Sequence, residues 1–146
     1  MQTLLLLSLL VLCAVEPTTA LAESSAGALQ KEVDDANAGL IDLIRSRLVD
    51  FLRESRPTCN SMNLSKSSAY ALNLVKLVEG GEIQLSAPHE FDLGTTIVDI
   101  ADAAQKVGCQ KEALDLYRCI TTSFLGSNHA PIRERAEVGM QELSMR

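Results

Sequence analysis

The residues with chemistry to offer in this 146-residue chain are few: two histidines, four cysteines and some closely spaced acids. His89-Glu90 beside Asp92 has the donor types for a metal ion, but adjacent side chains in a loop rarely converge, and the Cys/His spacings of zinc sites are absent. A cysteine nucleophile would need a histidine next to it in space, and no local signature couples Cys59, Cys109 or Cys119 to His89 or His129. Glu112 and Asp115 read as solvated helix residues rather than an acid/base pair. No glycine-rich loop could cradle a phosphate. The expectation is a protein without catalytic residues, metal or cofactor. Asn63-Leu64-Ser65 has the form of a glycosylation sequon.

The elements that would position such residues start with a leader. Leu4 to Val15 is an apolar run, Pro17 breaks it, and Ala20-Leu21-Ala22 supplies small residues before Glu23, so 1–22 reads as a secretory signal peptide cut between Ala22 and Glu23. The run is too short for the ~20 residues that span a bilayer. No Lys or Arg precedes it. This predicts an exported chain, periplasmic or secreted, with no membrane attachment after cleavage and a single domain over 23–146. The net charge is −6, and removing the leader takes away Glu16 and no basic residue, leaving −5. Such a balance disfavours nucleic acid as a partner. Hydrophobic residues make up 47% of the chain, which excludes a disordered polymer, while Trp is absent and aromatics are scarce. The core must therefore be built from Leu, Ile, Val and Ala, which suit helix-on-helix packing.

Periodicity agrees with an all-α fold of about five helices. Leu29, Val33, Ala36, Leu40, Ile44, Leu48 and Phe51 recur every three or four residues, one face of a long helix ended by Pro57. A second helix runs over about 64–79, apolar enough late in its course to be central, and Gly80-Gly81 stops it. EIQLSAPHEFDLG is expected to be a packed loop. A third helix begins near Thr95 or Thr96, with Thr96-x-x-Asp99 as a capping box, and ends at Gly108. A fourth carries Ala113, Leu116, Tyr117, Ile120 and Phe124. A fifth starts around Pro131, with Ile132, Ala136, Gly139 and Leu143 on one face.

Ile97, Ile100, Ala101, Ala104, Gly108, Ala113 and Tyr117 follow the spacing of one tetratricopeptide repeat, and the third and fourth helices resemble that family. Small Ala101 and Ala113 would let the helix axes approach, Gly108 would make the turn, and Tyr117 would fill the space toward the next helix. Ile97 stands where the family often has an aromatic residue, Ala104 replaces another large one, and Leu125 replaces a proline. The fifth helix resembles half of a following repeat. The resemblance implies antiparallel helix hairpins and a protein–protein interaction module, with a protein or peptide partner held in a groove on the third helix by Val98, Asp102, Gln105 and Lys106. The alternative is a structural helical bundle that self-associates as a homo-oligomer.

Removal of the leader leaves an odd number of cysteines, so at most one internal disulfide forms. Cys109 and Cys119 lie roughly 14 Å apart along a helix, too far to pair. If the second and third helices run antiparallel, Cys59 comes near Cys109, leaving Cys119 as a free, mostly buried thiol. Three unpaired cysteines remain the alternative.

Overall fold

The computed structural model describes residues 18–145, with side chains from Ala26. The leader assigned to 1–22 and its Ala22–Glu23 junction lie outside the residues whose side chains are described. The described chain is all-α: α1 (Thr18–Leu52), α2 (Met62–Glu79), α3 (Ala87–Lys106), α4 (Gln110–Ser123) and α5 (Ala130–Ser144), with one 3₁₀ turn at Ser127–His129 before α5. Two compact units divide it, one up to Val33 and one from Asp34 onward. The second holds the core and is the one described below. No helix among the described residues is long and apolar enough to cross a membrane.

The centre of this unit is α3, not α2. Ten of its residues are buried, among them Leu93, Ile97, Val98, Ile100, Ala101 and Ala104, and α2, α4 and α5 pack around it. A helix apolar on nearly every side has to be enclosed. α2 buries only one face, through Leu64, Ser67, Ser68, Ala71, Leu74 and Val75. Its two buried hydroxyls are satisfied locally, both donating to the carbonyl of Leu64 at 2.9 Å.

α3 also begins eight residues earlier than Thr95. Ser86 occupies the N-cap and Pro88 lies in the first turn, where a missing N–H costs nothing. Gly94 is therefore inside the helix rather than in a loop. A Cβ there would come within 3.1 Å of Ile132 and 3.2 Å of Phe124, so the two later segments seat against it. Thr96 is no cap. Its hydroxyl donates to the carbonyl of Asp92 at 2.7 Å and accepts from Arg45 Nε at 3.0 Å, tying α1 to α3.

In α1 the buried face after Asp34 is Asn37, Ile41, Ile44, Leu48 and Phe51, while Leu40 and Leu43 stay 43% and 44% exposed. The stripe is rotated from the sequence expectation because polar Asn37 belongs to it, its amide donating to the carbonyl of Gln84 at 3.1 Å. α1 ends at Leu52, ahead of Pro57. Glu54 then accepts hydrogen bonds from Ser61 (2.6 Å) and Asn63 (3.0 Å), placing a carboxylate at the start of α2. Negative charge is favourable at that end of a helix. The same bond occupies the amide nitrogen of the Asn63 sequon.

Among the described residues, Gly81 and Gly108 have positive φ, at 72° and 84°. Each follows a helix whose last carbonyls are taken up across it: Glu82 N–H donates to Leu77 O, and Cys109 N–H to Ala104 O, both at 2.9 Å. α4 ends without such a glycine. Arg133 of α5 caps it instead, donating to the carbonyls of Phe124 and Gly126 at 2.6 and 2.7 Å.

Ala101, Ala104 and Ala113 are fully buried, so the α3–α4 pair has small residues at its interior. Ala113→Leu is expected to cost about 1–3 kcal/mol by overpacking. Glu112→Leu, one residue earlier on the rim of an open cleft, should cost far less. Thermal unfolding compares them, and equal shifts would contradict this packing.

Candidate functional site

Three places hold the residues singled out by chemistry or exposure: a polar cluster between α3, α4 and α5, a mixed cleft at the disulfide, and an apolar groove between α1 and α2.

The cluster is centred on Tyr117, 1% exposed. Its hydroxyl donates to Asp102 Oδ1 at 2.5 Å and lies 2.7 Å from Gln105 Oε1. Gln105 in turn donates to Glu142 at 2.9 Å. Arg135 of α5 bridges Asp99 and Asp102, at 2.7 and 2.5 Å. Gly139 faces the phenol ring so closely that a Cβ would sit 2.3 Å from Tyr117 Cζ. The sequence groups Asp102 and Gln105 correctly on one side of α3. It gives no sign of Arg135 or Glu142, because pairs between helices leave no fixed spacing.

This arrangement removes the groove expected on α3. Val98 is fully buried. Gly94, Val98 and Asp102 form one i, i+4 stripe, and α5 touches both of its ends, through Ile132 at Gly94 and Arg135 at Asp102. Asp102 and Gln105 are spent on Tyr117, Arg135 and Glu142. Only Lys106 remains exposed. The half-repeat read in the fifth helix thus covers the face that a ligand was expected to use.

Burial pushes the Tyr117 phenol well above its ordinary value of about 10. The hydrogen bond to Asp102 and the charges of Asp102 and Glu142 add to this, and Arg135 opposes it. The folded state therefore keeps a proton that the unfolded state sheds above pH ~10, so stability is intact below that pH and falls as pH rises beyond it. The slope from this group is about 1.4 kcal/mol per pH unit. Tyr117→Phe, less stable at neutral pH, should lose less on going to alkali, and the two unfolding curves should converge. Parallel curves would remove Tyr117 as the cause.

The mixed cleft, about 590 Å³, is lined by Cys59, Ser68 and Leu72 on one side and by Gly108 to Glu112, Asp115 and Leu116 on the other. Cys59 and Cys109 are bonded to each other, with Cα atoms 5.3 Å apart. The antiparallel course of α2 and α3 brings the connector before α2 to the α3–α4 turn. Cys119 is a free, half-buried thiol. Burial raises its pKa, with Glu79 adding to this and a hydrogen bond from Ser123 opposing it.

His89 and His129 line neither cleft. His89 Nδ1 lies 2.9 Å from Ser86 Oγ in the first turn of α3. His129 is 2% exposed, edge-on to Phe124 at 5.4 Å and 4.0 Å from Glu90. Among the described residues no group of three His, Cys, Asp or Glu could hold a metal ion.

The apolar groove, about 220 Å³, is lined by Leu40, Leu43 and Ile44 of α1 and by Tyr70, Asn73, Leu74 and Leu77 of α2. Leu40, Leu43 and Tyr70 are each more than 40% exposed. The sequence does not reveal it, because spacing alone puts Leu40 on the core stripe. No family model matches this chain, and no curated protein or solved structure is measurably similar to it.

Proposed function

We propose that the chain is a small exported, non-catalytic protein–protein interaction module built around a tetratricopeptide-like α3–α4 hairpin. In this reading it engages a polypeptide at the α1–α2 groove rather than on α3. The observation that carries the reading is the groove itself: three large apolar side chains, Leu40, Leu43 and Tyr70, stand half-exposed around one concavity. Clustered exposure of that kind marks interaction surfaces.

The second reading, a structural bundle that self-associates, is favoured by one feature. The mixed cleft is walled by Ser68 and Leu72 of α2, whereas the open groove is almost wholly apolar, and apolar rather than polar lining suits association of folded copies.

A photo-crosslinking residue placed at Leu43 or at Lys106 tests the choice of face in the cells that produce the protein. Adducts identified by mass spectrometry are expected from position 43 and not from 106. Adducts from 106 alone would return the site to α3, and none from either would remove the interaction reading.

A further inference from the structure

We infer that the occupant of the α1–α2 groove is a second copy of this chain, its α1 laid antiparallel across the first about a two-fold axis near Leu43. The inference rests on the reading of that groove as an interaction surface and names its partner. A two-fold interface needs a patch that complements itself. This one presents Leu40 and Leu43 as half-exposed knobs on α1 and, directly beside them, a concavity floored by Leu74 and Leu77 of α2. Leu43 of each copy has a hole to enter on the other.

Charge fixes the direction. From Asp34 to just past the end of α1 the sign changes along the chain: Asp34, Asp35 and Asp42 come first, then Arg45, already paired with Asp92 at 3.3 Å, Arg47 and Arg53, with Asp50 among them. A parallel copy would set acid against acid and base against base. An antiparallel copy centred near Leu43 brings the acidic half of each helix to the more basic half of the other, with Asp35 and Arg53, both exposed, on opposite sides of the axis at similar distances. The sequence supports the same seam. Ala36, Leu40 and Leu43 are four and three residues apart, a spacing suited to packing against a second helix.

Sedimentation equilibrium of the full mature chain with its disulfide intact, over a concentration series, tests this. The wild type should form a dimer. Leu43→Glu should raise the dimer dissociation constant by roughly tenfold or more, as removal of a central apolar anchor does, with an unchanged urea midpoint at concentrations low enough that both proteins are monomeric, because Leu43 is already half-exposed. Asp35→Arg and Arg53→Asp should each weaken the dimer, and the two together should restore it. A monomer at every concentration, a dimer indifferent to Leu43→Glu, or charge reversals that fail to compensate would each overturn the inference. The photo-crosslinker at position 43 separates the two levels. Adducts only with other polypeptides sink the second copy and leave the interaction reading standing, whereas no adduct of any kind sinks both.

Discussion

Gly139→Ala is expected to cost about 3 kcal/mol, near the upper end of overpacking penalties. The added Cβ would lie 2.3 Å from Tyr117 Cζ, 2.6 Å from Cε2 and 2.7 Å from the hydroxyl. The ring has nowhere to retreat, because its hydroxyl is held by Asp102 and Gln105 on α3. Either α5 lifts away, breaking the Arg135 bridges, or the phenol leaves its site. Gly39→Ala is the control. It is also mid-helix, but nothing lies within 4 Å of its Cβ position, so alanine should gain up to ~1 kcal/mol through helix propensity. In the Gly139→Ala background, Tyr117→Leu should cost much less than it does alone, since the clash and the contact are the same atoms. Urea unfolding measures all four, and strictly additive penalties would contradict the contact.

Loss of the Cys59–Cys109 bond should have an effect of similar size. It closes a loop with a sequence separation of 50, and loop-closure entropy alone gives about 4 kcal/mol for a loop of that length. The loop contains all of α2 and α3, the inner half of the core. Reduction, or Cys109→Ser, should lower the thermal midpoint by roughly 10 °C or more. Thiol counting before reduction should find Cys119 alone, reacting slowly because it is half-buried and its pKa is raised. A bridge mapped to Cys119, or an oxidised and a reduced protein of equal stability, would contradict the arrangement of α2 against α3.

The helix ends that the sequence revealed are those set by local covalent geometry. Gly81 and Gly108 adopt left-handed conformations that other residues resist, and Pro131 stands in a first turn, where its type is tolerated. Pro88 carries the same local signal, yet Gly94 six residues on makes the stretch read as a loop. What overrides Gly94 is tertiary: Phe124 and Ile132 need the space that a side chain would fill. Thr96-x-x-Asp99 has the composition of a cap, but at mid-helix a threonine hydroxyl bonds back to the preceding turn.

The candidate site was legible only in part, for a related reason. Spacing along one helix tells which residues share a face, and it groups Val98, Asp102, Gln105 and Lys106 on one side of α3. It does not tell what lies opposite. The contacts of α5 at Gly94 and Asp102, either side of buried Val98, and the exposure of Leu40 through the inward turn of Asn37, are decided between elements far apart in sequence.

Leucine and valine methyl NMR of the mature chain in a dilution series tests most directly which face this protein uses. The account predicts that the methyl signals of Leu40, Leu43 and Leu77 move with concentration, while those of Val98, fully buried in the core, do not. Signals that stay fixed around the α1–α2 groove while others move elsewhere on the molecule would contradict it.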